Sequence, residues 1–178
     1  MIRKTKSKLS FFKRSETGNA TIEFVMIVPF FLAFLGIGAE MNVITTQHGA
    51  LEQGVDRVVR DIRLNTGTKW DHDVIKIRIC EISGIQNCEA NLRLEMIRQN
   101  AFVGINLPEK PDCTDSTEEV NPLHEFKFDS GESNELMILR ACLRVDPVFK
   151  TSVIAREVPD ESGHYSLTAT TAFVQEPR

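Results

Sequence analysis

The chain has 178 residues, 42% of them hydrophobic, which suits one modest domain plus a membrane helix. Its formal charge of −4 is unevenly spread: residues 1–18 carry six basic side chains and one acid, and the remainder carries 15 basic and 24 acidic ones. An acidic remainder repels phosphate and argues against a nucleic-acid partner.

Arg3, Lys4, Lys6, Lys8, Lys13 and Arg14 form a basic leader at residues 1–18. A short basic leader ahead of an apolar helix stays on the cytoplasmic side, which sends the acidic remainder across the membrane. Glu23 and Phe24 follow Gly18 and Asn19 at the head of the apolar run Ala20–Ala39. A run of about 20 apolar residues spans a bilayer as a helix. A secretory signal would have a shorter apolar region of about 7–15 residues and then a small-residue cleavage site. Pro29 lies inside the run, removes the backbone hydrogen bond to the Val25 carbonyl, and favours a kink. Gly36 and Gly38 permit close packing against a neighbouring helix.

Past Glu40 the helical pattern continues in another style. Ile44, Leu51, Val55, Val58, Val59 and Ile62 repeat at helical spacing, with polar residues on the other faces. Asn65-Thr66-Gly67 is a stop signal. The spacing predicts one helix over 19–64, about 70 Å long at about 1.5 Å per residue. Residues 19–40 are its transmembrane part and 41–66 its amphipathic continuation.

Residues 67–178 form the remaining domain. Asp71 caps a predicted helix, Asp73 sits in its first turn, Ile75, Ile79 and Ile82 share a face, and Gly84 ends it. Ile75, Ile77 and Ile79 also alternate at strand spacing, which periodicity alone does not separate from a helix, and the cap and the terminal glycine favour the helix. Leu92–Met96 alternates as a strand, Leu136–Val145 is the strongest strand, and Tyr165–Val174 is the last. Residues 106–134, rich in Pro, Asp, Glu and Ser, read as a long loop, and 147–163 as a second connection. The expected fold is α+β and pilin-like: a long N-terminal helix packed on an antiparallel sheet of about three strands.

Cys80, Cys88, Cys113 and Cys142 all fall on the translocated side, where an even count suggests two disulfides. Three pairings are possible, and Cys80–Cys88 with Cys113–Cys142 is favoured: the first closes a short loop and the second ties the long loop to a strand. No metal spacing is present, since His48, His72, His124 and His164 are scattered. Asp71-His72-Asp73 reads as a helix cap with a surface histidine, and Glu118, Glu119, Glu132 and Glu135 as a solvated face. There is no phosphate loop, nucleophile elbow or zinc-protease motif, so neither an enzyme nor a cofactor is expected.

The chemistry expected here is done to the chain. Cleavage after Gly18 would expose the Asn19 amine, and Glu23 would neutralise that amine or the one on an adjacent subunit, fixing how far one helix slides along the next. Arg14, Glu16, Gly18, Ala20, Ile22-Glu23-Phe24 and the proline-containing apolar helix resemble the TadE-like minor pseudopilins of tight-adherence (Tad, or Flp-type) pili, relatives of type IV pilins. Ile79-Cys80-Glu81-Ile82 with Cys88, the Leu139–Pro147 strand with Cys142, and the closing Leu167–Pro177 segment are similar to that family as well. The resemblance implies processing by a prepilin peptidase with Gly18 and Asn19 as the scissile pair, and Glu23 and Phe24 as assembly and peptidase-recognition residues. It implies other pilins, pseudopilins and the pilus assembly platform as partners. It also implies a bacterial inner-membrane location, single-pass, with the N-terminus cytoplasmic and a periplasmic disulfide-bonded domain. A competing expectation is a membrane-anchored periplasmic binding or sensor domain with an uncleaved signal anchor.

Overall fold

The computed structural model describes residues 19–64, 70–100, 102, 104, 107, 113, 128, 129, 131, 133–150 and 163–176. Helix α1 is Asn19–Leu64, and it runs through Pro29 without a break. Helix α2 is His72–Ser83, and a short helix α3, Cys88–Asn91, leads directly into strand β1, Leu92–Gln99. Strand β2 is Leu136–Val145 and β3 is Tyr165–Val174. The sheet order is β1-β2-β3, antiparallel throughout. The expected α+β arrangement, a long helix on a three-stranded antiparallel sheet, is the observed one.

The two halves of α1 have different surroundings. Residues up to Ala39 form one compact unit, and Glu40 onward form another. In the first, Phe24, Met26, Phe30 and Phe34 are all largely exposed. In the second, Leu51, Val55, Val58, Val59 and Ile62 are buried as one stripe. They join Leu92, Leu94 and Met96 of β1, Met137, Leu139, Ala141 and Leu143 of β2, and Leu167, Ala169 and Phe173 of β3 in a single core. Burying each such large apolar side chain contributes about 1.5–3 kcal/mol, so the stripe is a main source of the domain's stability. Thr45 and Thr46 donate their hydroxyls to the carbonyls of Met41 and Asn42 four residues back, at 2.8 Å each, which satisfies these polar side chains within the helix.

Helix α2 starts where expected, but not by the expected bond. Asp71 occupies the cap position with extended backbone, and its side chain makes no capping hydrogen bond; its backbone carbonyl accepts from Ile75 N at 3.1 Å. Gly84 closes the helix in the left-handed conformation at φ 63°, donating its N–H to the Cys80 carbonyl. Ile75 and Ile79 are buried and Ile82 packs on the core, so the helical reading of this ambiguous segment is correct. Strand β1 is three residues longer than its alternation predicts, and α3 has no counterpart in the sequence reading.

Strand β2 is buried on both faces. Met137, Leu139, Ala141 and Leu143 face the core, while Ile138, Arg140 and Cys142 on the alternate positions are also nearly inaccessible. Arg140 faces its register partner Glu95 across the β1–β2 ladder, Nη1 to Oε2 3.7 Å, with both side chains largely buried. Cys142 is bonded to Cys113, with Cα atoms 5.3 Å apart, and Cys80 to Cys88, with Cα atoms 5.6 Å apart. Most of 106–134 and all of 151–162 lie outside the described residues.

Gly54 sets the distance between α1 and α2. A Cβ there would stand 3.1 Å from the Ile79 carbonyl oxygen and 3.3 Å from Ile79 Cγ2. Alanine would gain about 0.5–1 kcal/mol of helical backbone preference, which offsets a contact tight by only a few tenths of an ångström. Leucine has no such compensation and must push α2 away, at about 1–3 kcal/mol. Gly54→Ala is therefore expected to be nearly neutral in thermal unfolding and Gly54→Leu clearly destabilising. Equal melting of Gly54→Leu and the parent chain would contradict this packing.

Candidate functional site

The first candidate region is the start of α1. Asn19 is its first residue, Glu23 lies in its second turn, and Phe24 beside it is 67% exposed. Pro29 is exposed within the helix. Gly18 and the basic leader lie outside the described residues, so the geometry of the Gly18–Asn19 bond is not part of the structure described here. What is on view is an apolar helix long enough to cross a membrane, with its apolar side chains turned outward.

The second region centres on Glu40, which the sequence reading passed over. It is 1% exposed. Its Oε1 accepts the N–H of Val148 and its Oε2 the N–H of Phe149, each at 2.9 Å. Both donors lie just past β2, where Pro147 ends the strand and leaves amides without a ladder partner. A carboxylate has two acceptor oxygens and no donor, so it fits two adjacent amides. Three structural facts converge on one point: the helix leaves its apolar run at Ala39, the next side chain turns inward, and it holds a corner of the chain 108 residues away.

Tyr165, at the start of β3 opposite Val145, is buried in the same neighbourhood. Its hydroxyl makes no well-formed hydrogen bond among the described residues, and it still feels the nearby carboxylate. Burial first, then the negative charge of Glu40 and a contact with its side chain, raise the Tyr165 pKa above 10.0. The effect disfavours tyrosinate and keeps the phenol neutral.

The remaining polar groups do structural work. His48 Nε2 lies 3.1 Å from the Thr168 carbonyl, tying α1 to β3. His72 Nδ1 is 2.9 Å from Asp73 Oδ1, and its ring meets Phe128 edge-on at 5.6 Å. Arg98 Nη1 donates to Glu135 at 2.7 Å, so Glu135 is paired rather than part of a solvated face. Arg98, Gln99, Phe102, Asn134, Glu135 and Val174 line an open cleft of about 500 Å³. Among the described residues, no cluster of three or more His, Cys, Asp or Glu is arranged to hold a metal ion.

The chain matches no protein-family model, no curated protein and no solved structure.

Two measurements test the Glu40 site. Hydrogen bonds to a charged group contribute about 1.5–3 kcal/mol each, so Glu40→Ala should destabilise the fold by at least that much. Glu40→Gln should fall between, because its amide keeps one acceptor and turns a donor against the other N–H. An unchanged unfolding midpoint for Glu40→Ala would contradict the clamp. Tyr165 is the chain's single tyrosine, so tyrosinate absorbance reports it alone. Its midpoint is expected above 10.0 in the folded protein. Below pH 10.0 both folded and unfolded phenols are protonated and nothing is lost; as pH rises past 10.0 the unfolded chain releases its proton first and stability falls. A folded midpoint at or below 10.0, or no loss of stability there, would contradict the assignment.

Proposed function

We propose that this chain is a TadE-like minor pseudopilin that takes part in assembling a tight-adherence pilus after a prepilin peptidase removes residues 1–18. The observation that carries the reading is the division of α1: one continuous helix whose apolar first half is exposed and whose second half is the core of a small disulfide-bonded sheet domain. A helix of that kind anchors in a bilayer and holds a folded head beside it. Glu23 supports the same reading, because an acid near the head of an apolar helix is costly in lipid and is worth keeping where it meets an amine. In this reading Gly18 and Asn19 are the scissile pair, Glu23 and Phe24 guide the peptidase and the register between subunits, and the domain is periplasmic.

N-terminal sequencing of the protein from membranes, with a prepilin peptidase present, tests it. The mature chain is expected to begin at Asn19. Gly18→Ala should retain the leader, and Glu23→Leu should reduce pilus assembly while leaving the domain folded. A mature chain starting near residue 40 would overturn the reading. Retention of residues 1–18 in the parent chain would favour a membrane-anchored binding or sensor domain, with the cleft beside Arg98 and Phe102 as its candidate site.

A further inference from the structure

Val148 and Phe149 are adjacent, apolar and exposed, at 55% and 45%. They are not a loose tip. Pro147 before them is buried, and both of their amides are held by the Glu40 carboxylate. The fold therefore fixes two apolar side chains in solvent, where an apolar side chain gains nothing by being held. What sets this pair apart from single exposed apolar residues elsewhere is its address. Glu40 is covalently joined to Ala39, the last residue of the apolar run. The corner thus lies within one glutamate side chain of the residue where the run ends, whatever the tilt of the helix. If that run spans a bilayer, its end is at the headgroup level.

The chemistry of the corner fits that level. An aromatic ring and an aliphatic side chain suit the boundary between acyl chains and headgroups. Lys150, next in the chain and exposed, suits anionic headgroups, with its aliphatic stem lying along the apolar side chains. Met41, next to Glu40 on α1, is also exposed, at 48%. Among the described residues of this corner, the acid beyond Glu40 is Asp146, and its Oδ1 lies 2.9 Å from His164 Nδ1.

We propose that the Val148-Phe149-Lys150 corner lies in the lipid interface and seats the domain on the membrane that α1 crosses. The proposal rests on the anchor reading of α1, and it adds a second membrane contact that the helix alone does not supply. Glu40 is the positioning residue: it touches no lipid, and it presents the corner that does.

The test uses the full chain reconstituted in vesicles containing anionic phospholipid. All four native cysteines are in disulfides, so an environment-sensitive fluorophore goes to an introduced thiol. Phe149→Cys, Val148→Cys and, separately, Phe30→Cys are labelled. The first two residues lend Glu40 only their backbone N–H groups, so replacing their exposed side chains leaves the clamp in place. Spin-labelled lipids then report depth. The label at Phe30 should be quenched best from the bilayer centre. The labels at Phe149 and Val148 should lose most of their emission to spin labels near the headgroups, at a depth of about 5–10 Å in the boundary. Quenching at Phe30 with none at Phe149 or Val148 overturns this proposal and leaves the anchor standing. No quenching at any of the three overturns the anchor and the proposal with it.

Discussion

The bond between Glu40 and the amides of Val148 and Phe149 is the constraint on which the arrangement turns. A carboxylate 1% exposed at the end of an apolar run is expensive unless both oxygens are satisfied. Here both are, by adjacent N–H groups that β2 releases when Pro147 ends it. The bond therefore settles two needs at once: an acid that must leave water, and two amides that have lost their ladder. It also fixes where along α1 the domain begins. From Glu40 onward the stripe Leu51, Val55, Val58, Val59 and Ile62 is in register with the inner face of the sheet.

Once that register is fixed, the rest of the domain has little freedom. Gly54 lets α2 approach α1 to the limit set by the Ile79 backbone. His48 reaches β3 at the Thr168 carbonyl. The central strand is enclosed on both faces, with the Arg140–Glu95 pair and the Cys142–Cys113 bond on the side away from the helix. A domain this small has a limited core, and cross-links that restrict the unfolded chain, about 2–4 kcal/mol each, matter to it in proportion.

Periodicity made much of this legible. The bounds of α1, β2 and β3 follow from hydrophobic spacing and from the breakers at Gly67, Pro147 and Gly163, because each element is long and strongly patterned. The cysteine pairs are the set that spacing favoured. Glu40 was not legible. As a lone acid among small and apolar residues it reads as the point where a pattern changes, and its partners are backbone amides 108 and 109 residues away that no side-chain motif marks. Gly54 was missed for a related reason: its role depends on how closely another helix approaches, which helical spacing does not encode. The burial of β2 on both faces was likewise hidden, since Arg140 reads as a surface residue until its partner Glu95 is placed opposite it. Gly18, Asn19 and Glu23, which we propose for processing and assembly, present the reverse case. Their meaning lies wholly in the sequence pattern, and the fold supplies the context of an exposed apolar helix leading into a packed domain.

Glu40 ties α1 to the corner past β2, next to the apolar stripe that packs α1 on the sheet. Amide hydrogen exchange at Val148 and Phe149 tests that most directly. Both N–H groups belong to exposed residues just beyond the end of a strand, and without the clamp they would exchange at the rate of an open turn. The account predicts strong protection at both in the parent chain and its loss at both in Glu40→Ala. Rapid exchange at these two amides in the parent chain, or protection that survives Glu40→Ala, would contradict it.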